Sequence, residues 1–507
     1  MSRNRLMPAR LSFWSLPRCT AGLTLLSLTT FSIPSLAQES VTEQVRQLTE
    51  AMNRVQAQLE ASQRQLEEMR AQLRALQASE GMPAEPSASQ TGESDAAKLA
   101  AQVDELRERQ AVQETQIAVQ EQTKVESESK FPVKVSGLVL MNGFVNTRNV
   151  DMSATPTLAV PGAGSTGASI RQTILGLDMR GPHLLGARSH GDLRVDFDGN
   201  SAAGGYANGY GVDLVRLRTA HASLDWDHTE LFFSMDRPLV SPNVPDSLTA
   251  IAEPPLAWSG DLWSWSPQFG VTQDLGLGNQ PCLRMQAALI DIPDAPYTDG
   301  LAAANGVVLT KSTAESSRWP GVEARIALPG GQSENGIRIG AGGLFAPHRS
   351  IGGRDFDTWA GTLDYRLPLP ARMEVSGAFY RGQALGGLGG GAYKDYVFAL
   401  DDGSYYFRTL DDVGGWVQWK QRLGQRLTFN EALGADEVPA GQLRPYAGTA
   451  TSAYQNLARN RTITGNIIYS PSAYLLFSLE YRRIASSPAN AATTSSDVVG
   501  VAAGFRF

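Results

Sequence analysis

The sequence predicts a transmembrane antiparallel β-barrel of about 16 strands behind an N-terminal α-helical coiled coil. From residue 131 to residue 507, apolar and polar residues alternate with the period of two that is typical of strands. The connections between these stretches are alternately short and long. After residue 37 no run of 18 consecutive apolar residues offers a spanning helix, so a closed barrel is the remaining way to cross a bilayer.

Residues 1–37 have the pattern of a secretory signal peptide. Four arginines and no acid accompany a short apolar stretch, residues 21–33, and Ser35-Leu36-Ala37 has the small residues of a cleavage site. The apolar stretch is shorter than the roughly 20 residues that a spanning helix needs. The alternative interpretation is an uncleaved anchor.

Residues 38–80 are predicted to form a coiled coil. Apolar residues follow a 4-3 spacing from Val41 to Leu76, interrupted by Ser62. A linker rich in Pro, Ser and Gly, residues 81–95, separates this repeat from a weaker helical segment, 96–130. Because a helix cannot bury such a stripe alone, the repeat favours a homo-oligomer or an antiparallel helical partner.

The barrel is predicted to occupy residues 131–507. Its strands are residues 133–149, 168–181, 187–199, 213–226, 228–236, 262–273, 282–290, 318–328, 336–345, 355–367, 372–382, 411–422, 426–435, 457–469, 474–485 and 496–507. In several of them charged residues occupy one face and apolar residues the other, which fits water inside and lipid outside. The alternative for such faces is a β-sandwich, whose apolar face would be its core.

The connection lengths favour the barrel. Short connections include 225–229, 367–371, 423–425 and 470–473. Long connections include 150–167, 237–261, 291–317, 383–410 and 436–456. Short periplasmic turns and long outer loops are typical of outer-membrane barrels, and an even strand number places both ends of the barrel, and hence the coiled coil, in the periplasm.

The last predicted strand places Val499, Val501, Ala503, Phe505 and Phe507 on one face. A terminal aromatic residue on an alternating strand resembles the assembly signal of outer-membrane barrels. We therefore predict that Phe505 and Phe507 form this signal. Aromatic residues near other strand ends are predicted to form interfacial girdles.

Composition argues against other classes of protein. The net charge of −7 argues against a nucleic-acid binder. After cleavage of the signal peptide, Cys282 is the one cysteine left, so no internal disulfide is expected. The match to G-x-G-x-x-G at Gly162–Gly167 lacks a strand-to-helix context and is interpreted as a flexible loop. We predict no catalytic residue, no cofactor and no metal site.

The order of these segments resembles the coiled-coil-headed trimeric outer-membrane porins of the dicarboxylate-channel (DcaP-like) type. The similarity rests on the signal peptide, the heptads at 41–76, the stretch from Phe131 to Gly137 that opens the barrel, and Phe505-Arg506-Phe507 that closes it. It implies a trimer of 16-stranded barrels that passes small, often anionic solutes. The second helical segment departs from the family's pattern, and no solute-binding residue can be carried over.

A constriction is predicted where the third long connection, residues 237–261, folds into the lumen. Its five prolines would stiffen it. Asp246, Glu253 and Asp261 would supply negative charge. The opposite wall candidates are Arg194, Arg216, Arg218, Arg325 and Arg338. The alternative is that each arginine pairs with a wall acid such as Asp196, Glu323 or Glu374 and stabilises the barrel.

These observations predict an outer-membrane channel for small hydrophilic solutes, anionic ones among them. The expected partners are membrane lipid, further copies of the chain (a trimer) and the solutes. One alternative is a structural tether with a plugged barrel. Another is a barrel hydrolase, for which His221 and His228 would be the candidate residues.

Overall fold

The computed structural model describes residues 132–199, 214–277, 280–297, 311–328, 336–350, 352–401, 404–446 and 454–507. The predicted signal peptide, coiled coil, linker and second helical segment lie outside the described residues and stay predictions. So does Phe131, at the predicted start of the barrel.

The described part of the chain consists mainly of strands. They are β1 (Val133–Val150), β2 (Ala159–Ser169), β3 (Ile174–Leu184), β4 (Ala187–Gly199), β5 (Leu214–Asp225), β6 (Thr229–Asp236), β7 (Ser266–Leu277), β8 (Gln280–Ile290), β9 (Gly321–Leu328), β10 (Arg338–Arg349), β11 (Asp355–Leu369), β12 (Met373–Gln383), β13 (Tyr396–Asp401), β14 (Ser404–Thr409), β15 (Asp411–Leu423), β16 (Leu427–Glu437), β17 (Leu457–Tyr469), β18 (Leu475–Pro488) and β19 (Thr494–Arg506). Two short helices, α1 (Thr313–Ser317) and α2 (Ala440–Leu443), lie in connections. Among the described residues no helix is long and apolar enough to cross a membrane.

All strands except β13 and β14 form one antiparallel sheet that closes on itself where β1 pairs with β19, Leu138 opposite Arg506. Both β2 and β3 pair with β1. Strand β2 lies along Asn142–Val150 of β1, and β3 lies along Val133–Leu138 of β1. They are therefore two halves of one strand, broken at residues 170–173. Counted this way the barrel has 16 strands, which confirms the predicted number.

The interpretation of Gly162–Gly167 as a flexible loop is wrong. These residues belong to β2, where Thr166 lies opposite Val145 of β1. The first long connection is accordingly shorter than predicted, residues 151–158. The stretch of Gly, Ala, Ser and Thr has no large apolar side chains, so the period of two that marks a strand is invisible in the sequence.

The two faces of the barrel differ as predicted. On β18 the side chains of Leu475, Phe477, Leu479 and Tyr481 are exposed on the outside, and the alternate residues are buried on the inside. The same alternation holds along β9 and β11. Glu431, outside and opposite Trp419, is a charged exception. An apolar outer face on a closed barrel fits contact with lipid.

The ends of the barrel differ in the length of their connections. At the short-turn end, residues 185–186, 226–228, 370–372, 424–426 and 470–474 connect neighbouring strands. At the long-loop end lie the connections that contain α1, α2 and the β13–β14 hairpin, whose strands were not predicted. Phe507 lies at the short-turn end, where its amide donates to the carbonyl of Gly137. Phe505 and Phe507 both face outwards; their role as an assembly signal stays a prediction.

The outer face predicts a depth-dependent response to charge. Leu433, halfway along β16, is 55% exposed. A Leu433→Arg variant is expected to lose about 2–4 kcal/mol of unfolding free energy in lipid vesicles, because an arginine near the bilayer midplane is poorly solvated.

The matched control is Ser495→Arg, at the long-loop end of the outer face of β19, where the expected loss is about 0–1 kcal/mol. Denaturant titration in vesicles measures both values. Equal losses would contradict the assignment of this face to lipid.

Candidate functional site

Residues 237–265, between β6 and β7, fold into the lumen and are called the inner loop here. Its two ends are tied together by Arg237, whose guanidinium donates to the carboxylate of Asp261 at 2.6 Å. The same Nη2 donates to the carbonyls of Asn243 and Leu262, both at 3.0 Å. Arg237 therefore closes the base of the loop.

The first half of the inner loop lies against β9 to β12. The amide of Val240 donates to the Glu323 carboxylate at 3.3 Å. The Asn243 side-chain amide donates to the carbonyls of Tyr365 and Gly377, at 3.1 and 3.2 Å. Tyr365 and Gly377 both lie four residues from the short-turn end of their strands, so the loop descends deep into the barrel.

Asp246 fixes the middle of the inner loop to β15 and β17. Its carboxylate accepts from the Nζ of Lys420 at 2.9 and 3.0 Å and from the side-chain amide of Gln418 at 2.6 Å. Its carbonyl accepts from the side-chain amide of Asn466 at 2.8 Å. The next residue, Ser247, donates to Glu480 of β18.

The loop then passes β1 and the break between β2 and β3. Asn142 of β1 donates to the carbonyl of Thr249 at 3.1 Å. At the break, the Gln172 side chain is fully buried; its Nε2 donates to the same carbonyl at 2.8 Å, and its Oε1 accepts from the amides of Ile251 and Ala252. The broken strand thus turns a glutamine inwards to bind loop backbone.

Two arginines of β5 complete the attachment. The guanidinium of Arg216 donates to the carbonyl of Ala252 at 2.9 Å, and that of Arg218 to the carbonyl of Ile251 at 2.8 Å. Both also pair with the fully buried Asp196, at 2.7 and 3.0 Å. Their guanidinium carbons lie 5.0 and 4.9 Å from the ring centroid of Trp265, in cation–π geometry.

The returning half of the loop packs on the opposite wall. Leu256 lies in an apolar cluster with Trp416 and Ala432. Gly260 has a φ of +106°, and a Cβ atom there would lie 2.1 Å from the carbonyl oxygen of Gly415. Backbone approach this close requires glycine on steric grounds.

A packed cap lies at the long-loop end of the barrel and closes part of it. Tyr393 is buried between Trp258 and Tyr454, at ring-centroid distances of 4.4 and 4.5 Å. Residues 391–393 all have positive φ. Their left-handed backbone directs two amides at wall carboxylates: Gly391 donates to Asp412 at 2.6 Å, and Ala392 to Asp436 at 2.7 Å.

Lys394 continues the cap. Its Nζ donates to the carbonyls of Ala392, Tyr454 and Leu457 at 2.7–2.9 Å, and the residue is fully buried. Burial lowers the pKa of Lys394 to about 7, because the ammonium loses its hydration. The lysine thus joins two different long connections.

Glu253 of the inner loop carries less charge than the sequence indicates. Its Oε2 is buried and has no hydrogen-bond partner among the described residues. Burial, together with the negative charge of Asp151, raises the pKa of Glu253 to about 8 despite the nearby Arg216. Most of this carboxyl is therefore protonated at neutral pH.

The predicted constriction residues fall into several groups. Glu253 and Arg216 lie together, and Arg218 binds the loop beside them. Asp246 pairs with Lys420, and Asp261 with Arg237. The other three predicted arginines have no contact with the loop acids among those the structure records: Arg194 pairs with Asp178, Arg325 with Asp364, and Arg338 is exposed near the short-turn end.

Sequence reasoning missed most of the residues that bind the loop. They are Asn142, Gln172, Arg237, Gln418, Lys420 and Asn466. The period of two on β15 does place Gln418 and Lys420 on the lumen face. Gln172 gave no such signal, because it lies where the strand is broken.

One of the two histidines named for the hydrolase alternative, His221, contacts an acid and an aromatic ring. His221 lies 3.0 Å from the carboxylate of Glu230 and stacks on Phe232 at 5.6 Å between ring centroids. Over residues 132–507, less the gaps given above, no three His, Cys, Asp or Glu side chains are placed to hold a metal ion.

Comparison with solved structures gives the fold. The outer membrane channel DcaP of Acinetobacter baumannii matches with a TM-score of 0.58 at 16% identity, covering 74% of this chain and 97% of that one. The anion-selective porin of Comamonas acidovorans matches with a TM-score of 0.47 at 12% identity, covering 74% of this chain and 100% of that one. OmpF of Salmonella typhi, in complex with daunomycin, has the same TM-score and identity and covers 74% of this chain and 97% of that one. No family model and no curated protein sequence matches the chain. The likeness to DcaP establishes a shared barrel fold.

The attachment of the inner loop predicts a local response to mutation. In an Arg216→Gln, Arg218→Gln variant the carbonyls of Ile251 and Ala252 lose their charged donors and Asp196 loses both arginine partners. Amide hydrogen exchange at residues 249–253 is expected to accelerate on the order of tenfold or more, because breaking buried pairs favours local opening.

Arg284→Gln is the matched control. Arg284 also makes a bidentate pair, with Asp274 at 2.7 and 2.8 Å, but at the short-turn end and away from the loop. Exchange at residues 249–253 should stay unchanged in this variant. The same rate in the double variant and the wild type would contradict the attachment.

Proposed function

We propose that the protein is an outer-membrane channel for small hydrophilic solutes, narrowed by the inner loop. The observation that carries the proposal is a polar loop bound to the inner wall of a 16-stranded barrel. Barrels of 16 to 18 strands are wide enough to leave an aqueous channel. A loop that follows the wall reduces that width without requiring any moving part.

Water reaches the inner loop. Val244 is 44% exposed although it lies between Asn243 and Asp246, which are both bound to the wall. Pro242 is exposed too, and Asp246 keeps 36% of its side chain accessible. This exposed side of the loop is the proposed edge of the solute path.

Charge near the short-turn end supports anions among the solutes. Arg338 is exposed and lies directly opposite Arg366 in the register of β10 and β11. Arg366 pairs with Glu374 at 2.9 Å, whereas the structure records no ion pair for Arg338 within its described residues. An exposed cation at the mouth of a channel attracts anions.

The proposal includes the location and the assembly. Short turns, Phe507 and the N-terminal segment lie in the periplasm, and the coiled coil holds the barrels together as a trimer. The apolar outer face and the heptads of residues 41–76 support these statements.

A tether with a plugged barrel is the second candidate, and the packed cap favours it. Tyr393, Lys394 and Trp258 are all buried, and they close part of the long-loop end. Such a barrel would fold and insert without conducting. Discrete conductance steps from the folded full chain in planar bilayers would support the channel; their absence would support the tether.

The channel predicts that added volume on the inner loop reduces conductance. Val244→Trp places an indole on the exposed side of the loop, and the single-channel conductance should fall to on the order of one half. The matched control is Val322→Trp, an outward-facing valine of similar exposure, 49%, on β9. If both variants conduct as the wild type does, the loop does not border the path.

Glu253 predicts a pH-dependent ion preference. As pH rises through about 8 its carboxyl ionises, which adds negative charge to the lumen, so permeability should shift towards cations between pH 7 and pH 9. Burial lowers the pKa of Lys394 to about 7 and raises the pKa of Asp395 to about 7, so both groups titrate in the same pH range. The relevant quantity is therefore the difference between the wild type and Glu253→Gln in reversal potential.

The control for this experiment is Glu437→Gln, which removes an exposed carboxylate on the outer face and should leave the pH profile unchanged. A wild-type profile in Glu253→Gln would contradict the role of Glu253.

A further inference from the structure

Three arginines lie on the outer face of the barrel, on neighbouring strands. Arg459 and Arg461 are two residues apart on β17, and Arg483 is on β18. In the register, Arg461 lies opposite Ala485 and Arg483 opposite Ile463, so Arg461 and Arg483 occupy diagonally neighbouring positions on the outer face. Their neighbours on this face include the apolar residues Ile463 and Ala485 and the acids Glu437 and Asp497.

Their height in the barrel is well defined. Arg461 is eight residues from Tyr469, at the short-turn end of β17, and Arg483 is eight residues from Leu475, at the same end of β18. Eight residues of a tilted strand rise about 20 Å, which is close to the height of the apolar band of such barrels. Arg461 and Arg483 therefore lie in the upper part of this band, from which their long side chains can reach the headgroups.

The cluster has more cations than acids. Arg459 pairs with Glu437 at 3.4 Å, and Arg483 with Asp497 at 3.0 Å. The structure records no ion pair or hydrogen bond for Arg461 within its described residues, and the Nε of Arg459 is buried without a partner among them. Three guanidinium groups with two carboxylates leave donors available for an anion.

We propose that Arg459, Arg461 and Arg483 bind the phosphate of an outer-leaflet lipid. Guanidinium forks bind phosphate through paired hydrogen bonds, and the pairing is strong at the edge of a bilayer. The inference rests on the proposed membrane location and not on conductance. It gives this side of the barrel a lipid ligand instead of a bulk-lipid contact.

The test is a titration of the detergent-solubilised full chain with fluorescent lipid A that carries two phosphates. In the triple variant Arg459→Gln, Arg461→Gln, Arg483→Gln, binding of lipid A should weaken on the order of tenfold or more. In the single variant Arg461→Gln it should weaken on the order of threefold. Arg461→Lys keeps the charge and should bind more tightly than Arg461→Gln. Arg381→Gln, an outward arginine eight residues from Met373 on β12 and away from the cluster, should bind as the wild type does.

Further arms identify the ligand. Lipid A without phosphates should bind on the order of tenfold more weakly, and inorganic phosphate should compete only at millimolar concentration. Unchanged binding by the triple variant, or equal binding of the lipid without phosphates, would overturn the proposal. So would a change in oligomer mass in the triple variant, since the face would then contact a second copy.

Folding and conductance are measured separately. Gel mobility with and without heating shows whether the triple variant still forms the barrel. If it does not, the difference in lipid A binding between Arg461→Gln and Arg461→Lys tests the proposal instead. Conductance of the triple variant should equal that of the wild type. A chain that binds lipid A without conducting would contradict the channel and leave the lipid site standing.

Discussion

The arrangement of the lumen depends on one constraint: a peptide backbone inside a barrel must find partners for its amides and carbonyls. The inner loop satisfies some of these groups itself, through Arg237 and a few backbone bonds, and the wall supplies partners for many of the others. Asn142, Gln172, Arg216, Arg218 and Asn466 all donate to loop carbonyls, and Gln172 also accepts from two loop amides. Much of the polar inner face that could be interpreted as a solute path is therefore occupied in holding the loop. The exposed Arg338 is a charge that this binding does not use, and under the proposed function it acts on solutes.

The same constraint explains why the barrel wall is irregular where it is. The strand formed by β2 and β3 is broken at residues 170–173, and the break turns Gln172 towards the loop. Gly260 of the loop and Gly434 of the wall allow the two backbones to approach more closely than side chains would permit, because a Cβ atom at either position would lie 2.1 Å from a carbonyl oxygen on the other side. At the long-loop end, the left-handed residues 391–393 are held by Asp412 and Asp436, so the strain of that segment is balanced by hydrogen bonds to these two carboxyl groups.

Much of the barrel could be predicted from the sequence, because lipid and water impose a period of two on each strand. The strand number, the two faces and the long third connection follow from that period. The half-strand β2 could not be predicted from that period, because its Gly, Ala, Ser and Thr residues carry no hydrophobic contrast. The β13–β14 hairpin could not be predicted either, because it lies outside the lipid. The partners of the loop could not be predicted at all. Asp246 meets Lys420 across 174 residues of sequence, and the fold alone determines that contact. The coiled coil at 38–80 and the trimer stay predictions.

The position of the inner loop can be tested most directly by locking it to the wall. A Cβ atom at Gly500 would lie 3.2 Å from the Cβ of Thr249, close to the separation of a disulfide. In a Cys282→Ser background, Thr249→Cys with Gly500→Cys should form this disulfide in the folded barrel, and single-channel conductance should be the same before and after reduction. Failure of the two cysteines to react in the folded protein would contradict the account. So would a current that appears only after reduction, because the loop would then have to leave the wall for solutes to pass.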